Sequence, residues 1–371
     1  MLGRLFGASD EQRDISFQQV WGSGIDVSGM TTWAGTVVNQ QNALQVGAAY
    51  ACVRLLSDTI SSLPVDTFIR RDGNRLPFRP RPDWVYEPEG PGSSRIEYYK
   101  QLVVSMLLSH GAVVQVLRNP SGQVIALQPL DPTRVEIRRN RETRMREFVI
   151  DGGQAVLPGE DVLYITEMRR PGSLKGVSRV DELKQTLGLA KALDEFASRY
   201  FSNGANTSGI IEFPGNLTAE QAKDLVDAFE AGHRGLRKAH RPGVLSGGSK
   251  FVKTGSDGEQ AQMLQSRQFA VEEVARIFRV PPSMIGLNTP GAMSYASVEH
   301  NAIQFTRYSL APLIAAIEEA HNRLLPGDAF LRVNMDGLLR GDSATQAQVF
   351  STALQAGYMS VNDVRGLMDL R

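Results

Sequence analysis

The sequence predicts an α+β protein, mixed helix and antiparallel sheet in its first half and dominated by long helices in its second. Two periodicities carry that prediction. Between residues 112 and 166 apolar side chains alternate with polar ones, the period of a strand with one face covered. From 178 onward they recur every three or four residues over long spans, the period of a helix with one buried stripe. A third observation bounds the class: no apolar run approaches the roughly 18 residues a membrane span requires, so no membrane contact is expected.

In chain order, the first 43 residues are polar and glycine-rich around Trp21 and Trp33 and read as an N-terminal arm. Residues 44–62 place Val46, Ala49, Val53, Leu56 and Ile60 at helical spacing, and Pro64 follows the end. Val65–Arg70 and Leu76–Phe78 flank Asp72-Gly73, a hairpin signal. Pro77, Pro80, Pro82, Pro88 and Pro91 make the next stretch an extended loop, before a helix over 94–109 with Ile96, Tyr99, Val103 and Met106 on one face. Strands are expected at 112–118, 123–130, 133–139, 146–150 and 161–166, with turns at 119–122 and 140–143.

After Arg170-Pro171-Gly172 the pattern turns helical. Ser178 is placed to cap, and Val180, Leu183, Leu187, Ala190, Leu193, Ala197 and Tyr200 form one stripe ending at Asn203-Gly204. A continuous helix there would be about 37 Å long at 1.5 Å per residue. A small unit follows: strand Gly209–Phe213, a helix opened by the capping box Thr218…Gln221 and closed near Gly232, and strands around Val244 and Phe251. A second long helix, 258–279, stops at Pro281-Pro282. A loop leads to a third, 295–325, striped by Val298, Ala302, Phe305, Leu313, Ile317 and Leu324, which Pro312 should kink. Strand Phe330–Asn334 and two short helices, Ser343–Ala356 and Ser360–Leu370, complete the chain.

Charge and motif content exclude several functions. Lys plus Arg and Asp plus Glu each number 40, so the whole is neutral, whereas a tight sequence-independent DNA binder is basic because each neutralised phosphate releases counterions. The single cysteine, Cys52, sits among apolar neighbours and reads as a packing residue. The nearest string to a phosphate-binding glycine loop, Gly243 to Lys250, lacks the hydroxyl after its lysine. The five histidines form no His-Glu-x-x-His pair and have no partner cysteines, and no Gly-x-Ser-x-Gly elbow occurs. No catalytic residue, metal ligand or cofactor is expected; the chain does not read as an enzyme.

Two segments point to partners. From Ala231 to Ser256 no acidic residue occurs, while Arg234, Arg237, Lys238, Arg241, Lys250 and Lys253 all fall there, a local polyanion or acidic-partner signal with a solvated loop as the plain reading. The other is the small, uncharged loop Asn288, Thr289, Pro290, Gly291, Ala292, Met293, Ser294, Tyr295 between two long helices, which by itself reads as a connector.

Over residues 44–370 the order of blocks resembles the portal family of small tailed phages. The residues that carry the resemblance are Ala51-Cys52-Val53 leading to Ser61-Ser62-Leu63-Pro64-Val65, Gln128-Pro129-Leu130-Asp131-Pro132, Lys175-Gly176-Val177-Ser178, and Tyr200-Phe201-Ser202-Asn203-Gly204-Ala205. The most specific block runs from Val274 to Gly286, and Leu338-Leu339-Arg340-Gly341-Asp342 and Gly357 to Arg365 follow in the family's order. One departure is Tyr164, where many relatives have a histidine before the isoleucine of the last wing strand.

The resemblance implies a portal fold: an N-terminal arm (1–43), an α+β wing (44–177), stem helix 1 (178–204), a clip (205–256), stem helix 2 (257–282), a tunnel loop (283–295), a kinked tunnel helix with a wing strand (296–336), and the start of a crown (337–371) that is minimal or truncated. It further implies a homo-oligomeric ring, usually of twelve subunits, at one vertex of the virion capsid, assembled in the host bacterial cytoplasm. Double-stranded DNA would pass through it during packaging and ejection. The terminase large subunit, a head–tail adaptor, the major capsid protein and a scaffold would be its partners. Residues 288–295 would line the constriction, and the 234–253 basic segment would face DNA, terminase or adaptor. The alternative is a small-oligomer α+β nucleic-acid-binding protein that uses that same basic segment.

Overall fold

The structure is a computed structural model that describes residues 32–202, 209–212, 214–215, 218, 220–224, 227, 250–253, 258–287, 301–335, 338 and 343–367. Its fold is α+β, built as follows.

Helix α1 (Gly47–Ser62) buries Ala49, Cys52, Val53, Leu56 and Ile60, the expected stripe, and stops where Leu63 turns extended ahead of Pro64. Strand β1 (Val65–Arg71) turns back into β2 (Asn74–Pro77) through Asp72 and Gly73, both at positive φ (49° and 76°), as a two-residue hairpin requires. The other edge of β1 is occupied from far along the chain, by β11 (Ala329–Val333), in the register Val65↔Val333, Thr67↔Leu331.

Helix α2 (Arg95–Leu108) begins at Ser94, whose hydroxyl accepts from the Glu97 amide at 3.3 Å. Its buried face holds three of the four expected residues, Tyr99, Val103 and Met106, and departs from expectation at Ile96. Tyr98, Tyr99, Leu102, Val103, Met106 and Leu107 point inward, while Ile96 is 45% exposed. A first-turn residue on this helix lies beyond the edge of the surface that the helix covers, so its apolar character is no guide to direction.

Strands β3 (Ala112–Arg118), β4 (Val124–Leu130) and β8 (Val162–Ile165) make one antiparallel sheet, with β3 central. Strands β5 (Val135–Arg139), β6 (Arg146–Ile150) and β7 (Ala155–Pro158) make a second. Strand β7 was not expected: it is four residues long, mostly exposed, and follows glycines that mask its pattern. Alternation along β3 divides two cores. Val114 and Val116 enter the main one with α1 and α2, while Val113 faces a smaller one with Val135, Ile137, Phe148 and Val162.

The expected single helix over 178–203 is two pieces, α3 (Arg179–Glu182) and α4 (Lys184–Ser202), separated by Leu183 at φ −112°, ψ 20°. Ser178 caps as expected, accepting from the Asp181 amide at 3.2 Å. The interruption falls between two tethers described below, one on Arg179 and one on Gly188, and Thr186 and Gly188 are weak helix formers in the turn that follows. Helix α5 (Gly258–Phe278) ends with Arg279 left-handed at φ 57°; Val280 N–H bonds Ala275 at 2.9 Å and Arg279 N–H bonds Arg276 at 3.1 Å, the double closure of a Schellman end before Pro281.

Between α4 and α5, β9 (Gly209–Glu212) pairs antiparallel with β10 (Lys250–Lys253). The capping box forms reciprocally: Thr218 N–H to Gln221 at 3.1 Å and Gln221 N–H to Thr218 Oγ1 at 3.3 Å. The strand expected near Val244 and the helix end near Gly232 lie outside the described residues.

The third long helix is helical from 301, widens to a π segment over Phe305–Leu310, and continues as α6 (Ala311–Asn322). This is the form taken by the expected proline kink. The α-helical partner of the Tyr308 carbonyl would be the N–H of residue 312, which proline lacks; just upstream the register is already widened, with Ala311 N–H reaching the Thr306 carbonyl. Helices α7 (Ser343–Gln355) and α8 (Val361–Leu367) follow, with Gly357 at φ 75° after the first and a Ser360–Asp363 cap opening the second. Among the described residues no helix is long and apolar enough to cross a membrane.

Candidate functional site

The sequence directs attention to the two long rods and the chain that leaves them. Helices α4 and α5 run in opposite directions, since Asp194 on α4 pairs with Arg267 on α5 at 2.8 Å while Arg179, before α4, reaches Ile277 at the end of α5. Their facing surfaces are narrow: Ala190 and Leu193 on one side, Ala270 and Val274 on the other, with Val46 to Ala48 of α1 closing over them. Small side chains let two rods lie close over a long contact.

Arg179 fastens the foot of the pair. Its guanidinium donates to both oxygens of Glu167 at 2.6 Å, donates to the Ile277 carbonyl at 3.0 Å, and lies 5.7 Å from the centre of the Phe278 ring. Both side chains are largely covered, Arg179 at 12% and Glu167 at 17% exposure, and Arg279 adds its charge 3.6 Å from Glu167. Bidentate pairing in a shielded place is the strong form of such a contact. One arginine thus ties the chain after β8 to the start of α3 and the end of α5.

The second tether is Gly188. A Cβ there would meet the Thr32 side chain at 2.4 Å, Thr36 Oγ1 donates to the Gly188 carbonyl at 3.1 Å, and the Trp33 amide donates to Gln185 at 2.9 Å. The start of the described chain is laid against the base of α4.

Tyr164 sits beneath the same junction. Its hydroxyl donates to the His110 carbonyl and accepts from the Gly176 amide, each at 2.8 Å. A Cβ on Gly176 would stand 2.1 Å from the His110 carbonyl, so glycine is required for the approach. Nearby, burial pushes the Cys52 thiol up to about 12, which keeps it protonated and fits its packing role.

Above the rods, Ser309 in the π segment donates to the Arg279 carbonyl and binds the third helix to the end of α5. After α5 the chain makes a turn over Pro282–Ile285, closes with Gly286 at φ 88°, and Leu287 N–H bonds Pro282 at 3.1 Å.

Of the residues singled out in the sequence, Asn288 to Tyr295 lie outside the described residues, as do Arg234, Arg237, Lys238 and Arg241. Lys250 and Lys253 fall at the two ends of β10, opposite Glu212 and Gly209. The fold brings the two long helices together as a pair and leaves the basic run on the connection between them. Arg179 and Glu167 were not foreseen, because their partnership exists only in space and neither neighbourhood carries a motif. Among the described residues no group of three or more His, Cys, Asp or Glu side chains could hold a metal.

Residues 47–369 match the family described as phage portal protein. The chain belongs to the phage portal family. The probable portal protein of Streptomyces phage phiC31 is 34% identical over 359 residues, covering 92% of this chain and 78% of that one. The portal protein of Enterobacteria phage HK97 is 26% identical over 337 residues, covering 88% and 79%. The fold is also that of a chain in the neck of a native gene transfer agent particle, computed with C12 symmetry, at a TM-score of 0.59 and 20% identity over 93% of this chain and 98% of that one. The portal fold of these relatives thus agrees with the α+β architecture and with the block order in the sequence.

Proposed function

We propose that the chain is one subunit of a ring that forms the DNA channel at a capsid vertex, for packaging of double-stranded DNA and its later ejection. The observation that carries this is the pair of opposed rods, fastened at the foot by Arg179 and joined at the far end through a small β unit, within a chain of the portal family. In this reading residues 44–177 are the wing, α3, α4 and α5 the stem, 205–256 the clip, 283–295 the tunnel loop, 296–336 the tunnel helix with its wing strand, and 337–371 the beginning of the crown.

The C12 neck of the gene transfer agent supports a ring of twelve. A ring closes when each subunit presents two different faces to its neighbours and the rotation completes a circle. A neutral chain suits a conduit, since DNA that must slide cannot be held by many phosphate contacts at once. With no nucleotide-binding motif in the sequence, the force is supplied by a separate motor, and the clip is the docking surface for terminase and, later, the head–tail adaptor. The family relation favours this over a small-oligomer nucleic-acid binder. Negative-stain imaging of the purified full chain tests it: annular particles with a central hole are expected, and a lone compact particle at every concentration overturns it.

A further inference from the structure

A groove of about 740 Å³ is lined by residues of the β5–β6–β7 sheet and of strand β8. Arg146 and Arg323 line it, with Tyr164 as part of its floor. Tyr164 is immobilised by its two hydrogen bonds, and the Arg146 guanidinium sits over the ring, 5.4 Å from its centre. Arg139 and Arg169 add to the same positive field. Partial burial first, then the charges of Arg169, Arg323 and Arg139, hold Arg146 below the ordinary arginine value, and only Tyr164 acts strongly the other way.

Two arginines of the neighbouring sheet have carboxylate partners: Arg134 has Asp151 and Arg138 has Glu147. Arg139, Arg146, Arg169 and Arg323 have none among the described residues. Two cations on the wall of a concavity, with two more acting on one of them, raise the energy of the free protein unless something negative arrives. Two carboxylates do reach the wall, but Glu147 is already bonded to Arg138 and Asn140, which leaves Glu160 to face Arg146 and Arg323, with the charges of Arg139 and Arg169 acting from outside the wall. The rim is apolar as well as basic, with Met145 71% and Val156 48% exposed.

We propose that this wing groove docks an acidic segment of a partner protein that also carries apolar side chains, its carboxylates meeting Arg146 and Arg323 and its apolar groups covering Met145 and Val156. Nucleic acid fits less well, because phosphates gain nothing from Met145 and Val156 and are repelled by Glu160.

The test is fluorescence anisotropy with the full chain. The probe is a short labelled peptide alternating glutamate and leucine. The controls are the same peptide with lysine for glutamate, the same with serine for leucine, and a short DNA duplex. The glutamate–leucine peptide is expected to bind about 10-fold tighter than each control and to weaken about 10-fold on Arg323→Glu and on raising salt, as shielded charge pairing predicts. Met145→Ser should weaken it by a smaller factor. Arg323 and Met145 are exposed, so thermal melts confirm that these variants fold. Equal binding of the lysine peptide, tighter binding of the duplex, no peptide binding, or indifference to both substitutions each overturns the proposal.

Discussion

His321 shows how much one buried side chain can decide. It is fully covered; its Nδ1 lies 2.7 Å from the Ile317 carbonyl, so that nitrogen carries the proton, and Nε2 accepts from the Tyr98 hydroxyl at 2.9 Å. Trp84 stacks on the ring, Tyr99 packs beside it, and Glu318 on the same helix is occupied by Arg332 and the Val333 amide. Burial holds His321 down to about 4, against an ordinary 6.5. The unfolded chain therefore takes up a proton near pH 6.5 that the folded one refuses until about pH 4. The histidine's contribution is complete above 6.5 and is lost as pH falls toward 4, by roughly 3 kcal/mol in all. Urea titrations at pH 7 and pH 4 should show that loss in the native chain and not in the Tyr98→Phe/His321→Leu double variant. Arg179 gives a second residue-level expectation. Arg179→Ala strands a covered Glu167 and frees the Ile277 carbonyl, and should cost about 3 kcal/mol in denaturant titrations, with Arg179→Lys recovering only part because it cannot pair bidentately. Neither residue was legible beforehand. His321 gave no signal because nothing in a helical stripe says which neighbour will come from 223 residues away. The Cys52 reading, by contrast, needed only its apolar surroundings, and the structure buries it completely.

At the scale of elements, local chemistry was easy to read and long-range geometry was not. Asp72-Gly73 announced a hairpin, Ser178 and Thr218 announced helix starts, and Pro281 announced a stop, because each acts within a few residues of itself. The division of the first long helix at Leu183 was invisible, since the contacts on either side of it are made by Thr32 and Glu167, residues outside the stripe. The kink at Pro312 was foreseen but its form was not: the disturbance is a π segment upstream of the proline. A π segment holds one more residue per turn than the α register around it, so removing it rotates everything before it by about 100° about the axis. Pro312→Ala restores the missing donor and permits that change. Because Phe305 is buried and Ser309 holds the Arg279 carbonyl, we expect a stability loss of about 1–3 kcal/mol, with altered hydrogen exchange over 301–310 and impaired DNA packaging; normal packaging would show that the register there is not used.

For the whole molecule, the α+β class was legible because the apolar period is two over residues 112–166 and that of a helix over the long spans after 178. The closure of the β1 sheet by β11 was not, since pairing between distant strands leaves no local trace. The proposed clip carries the prediction that belongs here. Reversing charge at Arg237 and Lys238 should leave ring assembly intact by electron microscopy while reducing packaged DNA in an infection assay; normal phage yield would remove those residues from the mechanism.

The interruption at Leu183 has a mechanical reading. Everything beyond it on α4 is a lever of 19 residues, about 28 Å at 1.5 Å per residue, whose pivot stands next to the Arg179 lock. Swinging such a lever through about 10° displaces its tip by about 5 Å, so small torsions at the pivot are enough to move the connection that joins α4 to α5.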